Sequence, residues 1–360
     1  MITTGQGTTV EIHMDPISQG VVGAAFAQTA ARRTQLATVA WYGALGGLAP
    51  DLDVLFQSPT DPLVFLEYHR QFTHSLVFIP AGAFLVFLVL RAIASRLALL
   101  QGLTAFQGYL ACLMGYATHG LLDACTSYGT QLFWPFSDAR IAWDSMPIVD
   151  PLFTVPVLVL VIAASRCKRK WLNWCACAWM LCFLAAGWWQ HHRAMEAAEQ
   201  VARNRGHEPT RLTAKPSIAN LVLWKAIYEY DGHYYVDAVR VGTQRLWYPG
   251  ARVAKLDLTR DFPGLQPDSV QARDVERFRW FSDGYLTVEE HAPRIGDLRY
   301  SFLPNEVDPM WGIELSLHDQ DEHVAWWASR RTDGRIRRQF VRMVLGLDGV
   351  SLDDDQATPP

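Results

Sequence analysis

Three short motifs in this chain bring imidazoles and carboxylates within reach of one another. His119-Gly-Leu-Leu-Asp123 sets a histidine and an aspartate four residues apart, which on a helix projects both from one face about one turn apart. That spacing lets the pair reach one divalent ion. Asp51-Leu-Asp53 and the His69 to His74 segment (HRQFTH) supply further groups, as ligands or as partners that hold ligand imidazoles by hydrogen bonds. A mixed imidazole and carboxylate set suits Zn, Mn or Fe, whereas calcium favours oxygen donors alone. A carboxylate left uncoordinated, Asp15 or Asp150, is a candidate general base. Arg70 offers a planar fork for a phosphate or carboxylate group, with an interfacial anchor as the alternative.

Each residue also has a plainer reading. Asp51 after Pro50 caps a turn, and Asp150 before Pro151 is an N-cap with proline at the first helical position. A lone histidine at the end of an apolar stretch is an interfacial residue. Coincidence favours a site, because ionisable groups near apolar spans are costly and here several arrive together.

The elements that must position them are apolar. A membrane crossing takes about 20 mainly apolar residues, and 75–95, 103–122 and 171–189 meet this, with 151–165 slightly short. Two weaker stretches, 17–31 and 35–49, are rich in Gly and Ala, which permits close helix packing. Basic residues cluster at Arg32 and Arg33, at Arg91 and Arg96, and from Arg166 to Lys170, while loops 50–74 and 123–150 carry only Arg70 and Arg140. By the positive-inside rule the Asp/His loops face outward. The expectation is an α-helical polytopic membrane domain of about six apolar helices, followed by an extramembrane, mostly antiparallel α+β domain outside the cytoplasm. Aromatic residues of the 123–150 loop (Phe133, Trp134, Phe136, Trp143) read as an interface belt or a substrate contact.

Composition agrees with two unlike halves. The chain has 360 residues, 50% of them hydrophobic, and a net charge of −4, so a basic nucleic-acid surface is not expected. All six cysteines lie before Trp189, and the spacing of Cys175 and Cys177 fits neither zinc nor redox use. The divisions expected are 1–13, a disordered or over-extended start; 14–189, the membrane-embedded domain; 190–208, an exposed helical connector; 209–352, the α+β domain; and 353–360, a disordered tail. Within 209–352, LVLWKAIYEY and HYYVDAVRV flank Asp231-Gly232 as a hairpin. RFRWFSDGYLTVEEH, DLRYSFL, GIELSLHD and HVAWWASRR suggest further strands.

The segments MDPISQG, GALGGLAPDLDVL, EYHRQFTHSL, THGLLDACTSYGTQLFWPFSD and IVDPLF resemble the YdjM-like family of membrane-bound proteins classed as metal-dependent hydrolases. The resemblance runs from about Met14 to Phe153 and implies a multispanning bacterial inner-membrane protein with a metal-assisted hydrolytic site. A more distant similarity of the His-X3-Asp helix is to zinc-dependent phospholipase C and P1-type nucleases. It implies His119 and Asp123 as ligands, joined by Asp51 or Asp53 and by His69 or His74, and a phosphoester or lipid-derived substrate. The family motif often reads Asp-Pro-X-Thr-His, and Ser18 and Gln19 replace its last two residues here. Either that position is not a ligand, His13 substitutes, or one metal site is lost. An ion-coupled transporter and a non-catalytic assembly protein are the alternatives to a hydrolase.

Overall fold

The computed structural model describes residues 16–289, 291–329 and 333–353. The expectations for residues 1–13, for Asp15 and for the tail beyond Asp353 lie outside the described residues.

The first half forms α1 (Pro16–Ala30), α2 (Leu36–Leu48), a 3-10 helix (Ala49–Leu55), α3 (Val64–Tyr68) and a second 3-10 helix (Phe72–His74). It continues as α4 (Ile79–Ile93), α5 (Ala105–Ala124), α6 (Pro151–Cys167) and α7 (Lys170–Asn204). The expectation of about six spanning helices is wrong. Among the described residues only α7 is long and apolar enough to cross a bilayer. A second span exists only if 64–74 and α4, bent by 88° at their break, are counted as one. The apolar windows had counted residues that are not helical. Pro80 restarts the chain in the first turn of α4, and α2 gives way to the 3-10 helix at Ala49-Pro50. At ~1.5 Å per residue, helices of 13 to 17 residues fall short of a ~30 Å hydrocarbon core. Helix α5 has 20 residues, but Gln107, Thr118, His119 and Asp123 dilute its apolarity. The outward placement of the C-terminal domain, which rested on six crossings, loses its basis.

Small residues do bring helices close. A Cβ at Gly23 would lie 2.5 Å from the Gly43 carbonyl oxygen, and one at Gly115 would meet the same oxygen. Helices α1, α2 and α5 therefore touch backbone to backbone, and this contact delivers the carbonyl of Gly47 to α5. Gly115→Ala is expected to destabilise the protein by about 1–3 kcal/mol through overpacking. A thermal melt in detergent checks this, and an unchanged midpoint would contradict the close approach.

The C-terminal half of α7 is not an exposed connector. Ala194, Ala197, Ala198 and Val201 pack with Trp224, Val239 and Trp247 from a five-stranded sheet. That sheet, of order β1-β2-β3-β4-β9, is antiparallel throughout. Its strands are β1 (Arg211–Pro216), β2 (Leu223–Tyr230), β3 (His233–Val241), β4 (Arg245–Ala254) and β9 (Val350–Ser351). Asp231 and Gly232 turn the β2–β3 hairpin with φ of 48° and 70°, the left-handed pair that a two-residue turn demands.

A second antiparallel sheet contains β5 (Leu286–Val288), β6 (Arg294–Asp297), β7 (Trp311–Glu314) and β8 (Ala325–Ala328). Helices α8 (Leu258–Asp261), α9 (Val270–Phe281) and α10 (Gly334–Leu345) complete the domain. RFRWF is helical rather than extended. Ser269 caps α9 by accepting from the Ala272 amide, and Ala272, Val275 and Phe278 recur at helical spacing on its buried face. DLRYSFL leaves the strand at Asp297.

The two halves share a core. Leu63, Leu66 and Tyr128 pack with Val275, Phe278 and Phe281, and Arg277 pairs with Asp61 and Glu67. Tyr300 donates to the Ser127 carbonyl at 2.9 Å. The β-sheet domain thus grips the segment after α2, which carries Asp51, Asp53, His69 and His74, and the loop that leaves α5 just past His119 and Asp123.

Candidate metal centre

Four side chains from three elements converge. Asp51 comes from the 3-10 helix after α2, His74 from the one before α4, and His119 and Asp123 from the last turns of α5. His119 and Asp123 share a face, as four-residue spacing requires. Gly120 faces the His74 carbonyl closely enough that a Cβ there would collide with it, so α5 lies directly against the His74 segment.

Each imidazole is tied at Nδ1 and bare at Nε2. His119 Nδ1 faces the Gly47 carbonyl oxygen at 2.5 Å, an acceptor only, so Nδ1 carries the proton. His74 Nδ1 lies 3.2 Å from Asp53 Oδ2, while Thr73 donates its hydroxyl to that same oxygen at 2.8 Å. The two Nε2 atoms then face each other at 2.9 Å with lone pairs inward. Asp51 Oδ1 lies 3.4 and 3.2 Å from them, and Asp123 Oδ2 lies 3.2 and 3.6 Å away. Neither carboxylate oxygen has a hydrogen bond within the protein.

Four ligand atoms within 4.8 Å of one another form a cage of converging lone pairs. A tetrahedral ion with bonds of ~2.0–2.2 Å needs ligand–ligand edges of roughly 3.3 Å, and the five edges above span 2.9 to 3.6 Å. Charge agrees with size. Asp51, Asp53 and Asp123 face one guanidinium, Arg70, so neutral imidazoles leave two negative charges that a divalent cation balances. Burial works to raise the Asp51 and Asp53 carboxyls. With no ion, protonated imidazoles outweigh it, those of His119 and His74 for Asp51 and those of His69 and His74 for Asp53, and hold both far below the ordinary carboxylate range; a bound cation takes the place of those imidazole protons.

Asp53 and His69, expected as ligands or as partners that orient ligands, lie beside the four-residue cage. They form a second grouping with Asp51. However, Asp53 already accepts from the Arg70 amide at 2.9 Å and the Thr73 hydroxyl, and faces His69 Nδ1 at 2.8 Å. A carboxylate so occupied orients its neighbours. Arg70 is fully buried with φ of 62°, its Nε 3.1 Å from Asp123 Oδ2 and its plane over the Tyr128 ring at 4.8 Å. It is a counter-ion behind Asp123 and not an interfacial anchor. Asp150 caps α6, accepting from the Leu152 amide at 2.8 Å, and it is absent from the cluster. Asp15 lies outside the described residues.

Gln19, the departure from the family motif, donates from Nε2 to Asp123 Oδ1 at 2.8 Å. It fixes one oxygen of Asp123 so that the other faces the cage. The supporting roles of Gln19, Thr73 and Gly47 escaped sequence reasoning because an amide, a hydroxyl and a glycine carbonyl carry no metal-ligand signature.

The model of the YdjM inner membrane protein family matches residues 14–194. The chain belongs to this family. The YdjM match takes in all four residues of the cluster and ends within α7, so the two-sheet domain lies beyond it. The family description places the protein at the inner membrane. No curated protein and no solved structure matches the chain, and the similarity to zinc-dependent phospholipase C and P1-type nucleases is not shown.

Proposed function

We propose that this YdjM-family chain is a metal-dependent hydrolase of the inner membrane, with zinc the favoured ion and a phosphoester or lipid-derived molecule as substrate. The observation that supports it is the cage of Asp51, His74, His119 and Asp123, whose edges suit a small divalent cation. An ion held there supplies a water of lowered pKa and polarises the scissile phosphoryl or carbonyl group.

The chain's own groups do the rest. Gly47 and Asp53 keep the imidazole protons on the outer nitrogens, so that both Nε2 atoms stay donors of electron pairs. Gln19 and Arg70 fix Asp123. The Asp51 side chain is 15% exposed whereas the other three are covered, so the cage lies nearest to solvent on its side. Its Oδ2 has no hydrogen-bond partner in the protein and is the acceptor available for a proton from water arriving there. Lipid as partner is supported by apolar side chains left exposed on helices, among them Phe84, Leu85 and Leu88 on α4 and Val155, Val159 and Ile162 on α6. A patch of this kind marks a membrane or protein contact.

One observation favours a second reading, a structural ion in an assembly protein. Four protein donors complete a zinc tetrahedron, as structural sites do, whereas catalytic sites keep a position open. The test is hydrolysis of bis(p-nitrophenyl) phosphate by the full chain in detergent, loaded with Zn or Mn. A hydrolase gives metal-dependent turnover that Asp51→Asn lowers by about 100-fold or more. Stoichiometric metal without turnover on this diester or on p-nitrophenyl esters would overturn catalysis and leave the structural ion.

A further inference from the structure

Beyond the candidate metal centre, on the far side of Tyr128, residues from both halves of the protein line a partly open cavity of about 470 Å³. Its walls carry four cations, Arg140, Arg211, Lys215 and Arg299, against two carboxylates, Asp144 and Asp283. Three of the cations are matched. Lys215 binds Asp144, Arg211 binds Asp283, and Arg299 binds Asp297 behind the wall.

Arg140 is different. Among the described residues it forms no ion pair. It donates to the carbonyls of Gly129, at 2.8 Å, and Leu66, at 3.5 Å, while its Nε has no partner. Tyr285 on the same wall is 1% exposed, and its buried hydroxyl also has no partner. An unmade hydrogen bond at a buried hydroxyl is costly and calls for an explanation. The residues that carry these two donors, Arg140 and Tyr285, both line this cavity, which has one cation more than its ion pairs use.

We propose that this interdomain cavity is a binding site for a phosphate-class anion, taken between Arg140 and the Tyr285 hydroxyl. Several oxygens on one centre suit a guanidinium fork and a hydroxyl converging from different directions. The pairs Lys215–Asp144 and Arg211–Asp283 hold their cations at the wall without filling the cavity. Burial, with the nearby guanidiniums of Arg70 and Arg299, pushes the Arg140 guanidinium down to about 10. It is still charged at neutral pH, and an anion relieves that crowding. Tyr128 stands between the site and the candidate metal centre, its ring 4.8 Å from the Arg70 guanidinium and 5.3 Å from that of Arg140. It goes beyond the hydrolase reading and does not depend on it. The anion could be a free phosphate or a phosphomonoester headgroup of a lipid.

The test is calorimetric titration of inorganic phosphate into the full chain in detergent after chelator treatment, so that metal chemistry does not enter. Wild type should show one saturable site, and Tyr285→Phe and Arg140→Gln should each weaken it about tenfold or more. Arg140→Gln also removes donors to two loop carbonyls and risks the fold. Tyr285→Phe removes only an unpartnered hydroxyl, so its melting temperature should equal or exceed that of wild type. In a second arm, nanodiscs holding phosphatidic acid are compared with phosphatidylcholine nanodiscs as competitors. Displacement by phosphatidic acid alone supports a headgroup as the source, and phosphate binding without displacement supports a soluble anion. No saturable binding in either arm, or binding that Tyr285→Phe leaves unchanged, would overturn the proposal.

Discussion

Replacing His119 with alanine is expected to abolish stoichiometric zinc binding and to bring any metal-dependent hydrolysis to background. His119 contributes a bare Nε2 that lies 2.9 to 3.6 Å from the other three ligand atoms, so its loss opens a corner of the cage. Losing an outer partner of a ligand already costs about 10–100-fold in affinity, and losing a ligand should cost more. The variant also leaves the Gly47 carbonyl without its imidazole, so folding must be checked by circular dichroism. Competition with a chromophoric chelator measures the affinity. A zinc affinity within about threefold of wild type, below the cost of even an outer partner, would remove His119 from the site.

Asp53→Asn separates orientation from ligation. The asparagine keeps size and shape but carries one oxygen and one amide where Asp53 meets the Arg70 amide, the Thr73 hydroxyl, His69 and His74. His74 then loses the acceptor that holds its proton on Nδ1, and the neutral ring is free to present an N–H to the cage. The expected loss is about 10–100-fold in zinc affinity, with the metal stoichiometry still reached at high zinc. If affinity does not change, Asp53 does not orient the ligands; if stoichiometry is lost at any concentration, Asp53 is itself a ligand.

The Asp/His cluster was partly legible because chemistry leaves residue types behind. His119 and Asp123 are readable as a pair from helix geometry alone. The convergence of Asp51 and His74 on them was an expectation from shared membrane level, and what brings them together is the glycine contact of α1, α2 and α5 and two 3-10 turns. Backbone contacts of that kind have no hydropathy signature. Gln19 read as a defect in the motif, although a side-chain amide can hold a carboxylate ligand in place.

The membrane topology was not legible in the same way. Average hydropathy does not see where Pro50 and Pro80 break the helices, nor that α5 gives part of its length to Gln107, Thr118, His119 and Asp123. In the C-terminal domain, turn chemistry succeeded at Asp231-Gly232, where two left-handed residues in a row admit few alternatives. It misled at RFRWF, where a cap at Ser269 and a helical apolar spacing outweigh aromatic content.

X-ray absorption at the zinc edge of the zinc-loaded full chain is the most direct measurement. Expected is one zinc per chain bound only by nitrogen and oxygen, at about 2.0–2.2 Å, with the scattering pattern of two imidazoles. No bound zinc, or a sulfur shell near ~2.3 Å showing that cysteines hold the ion, would contradict a centre built from Asp51, His74, His119 and Asp123.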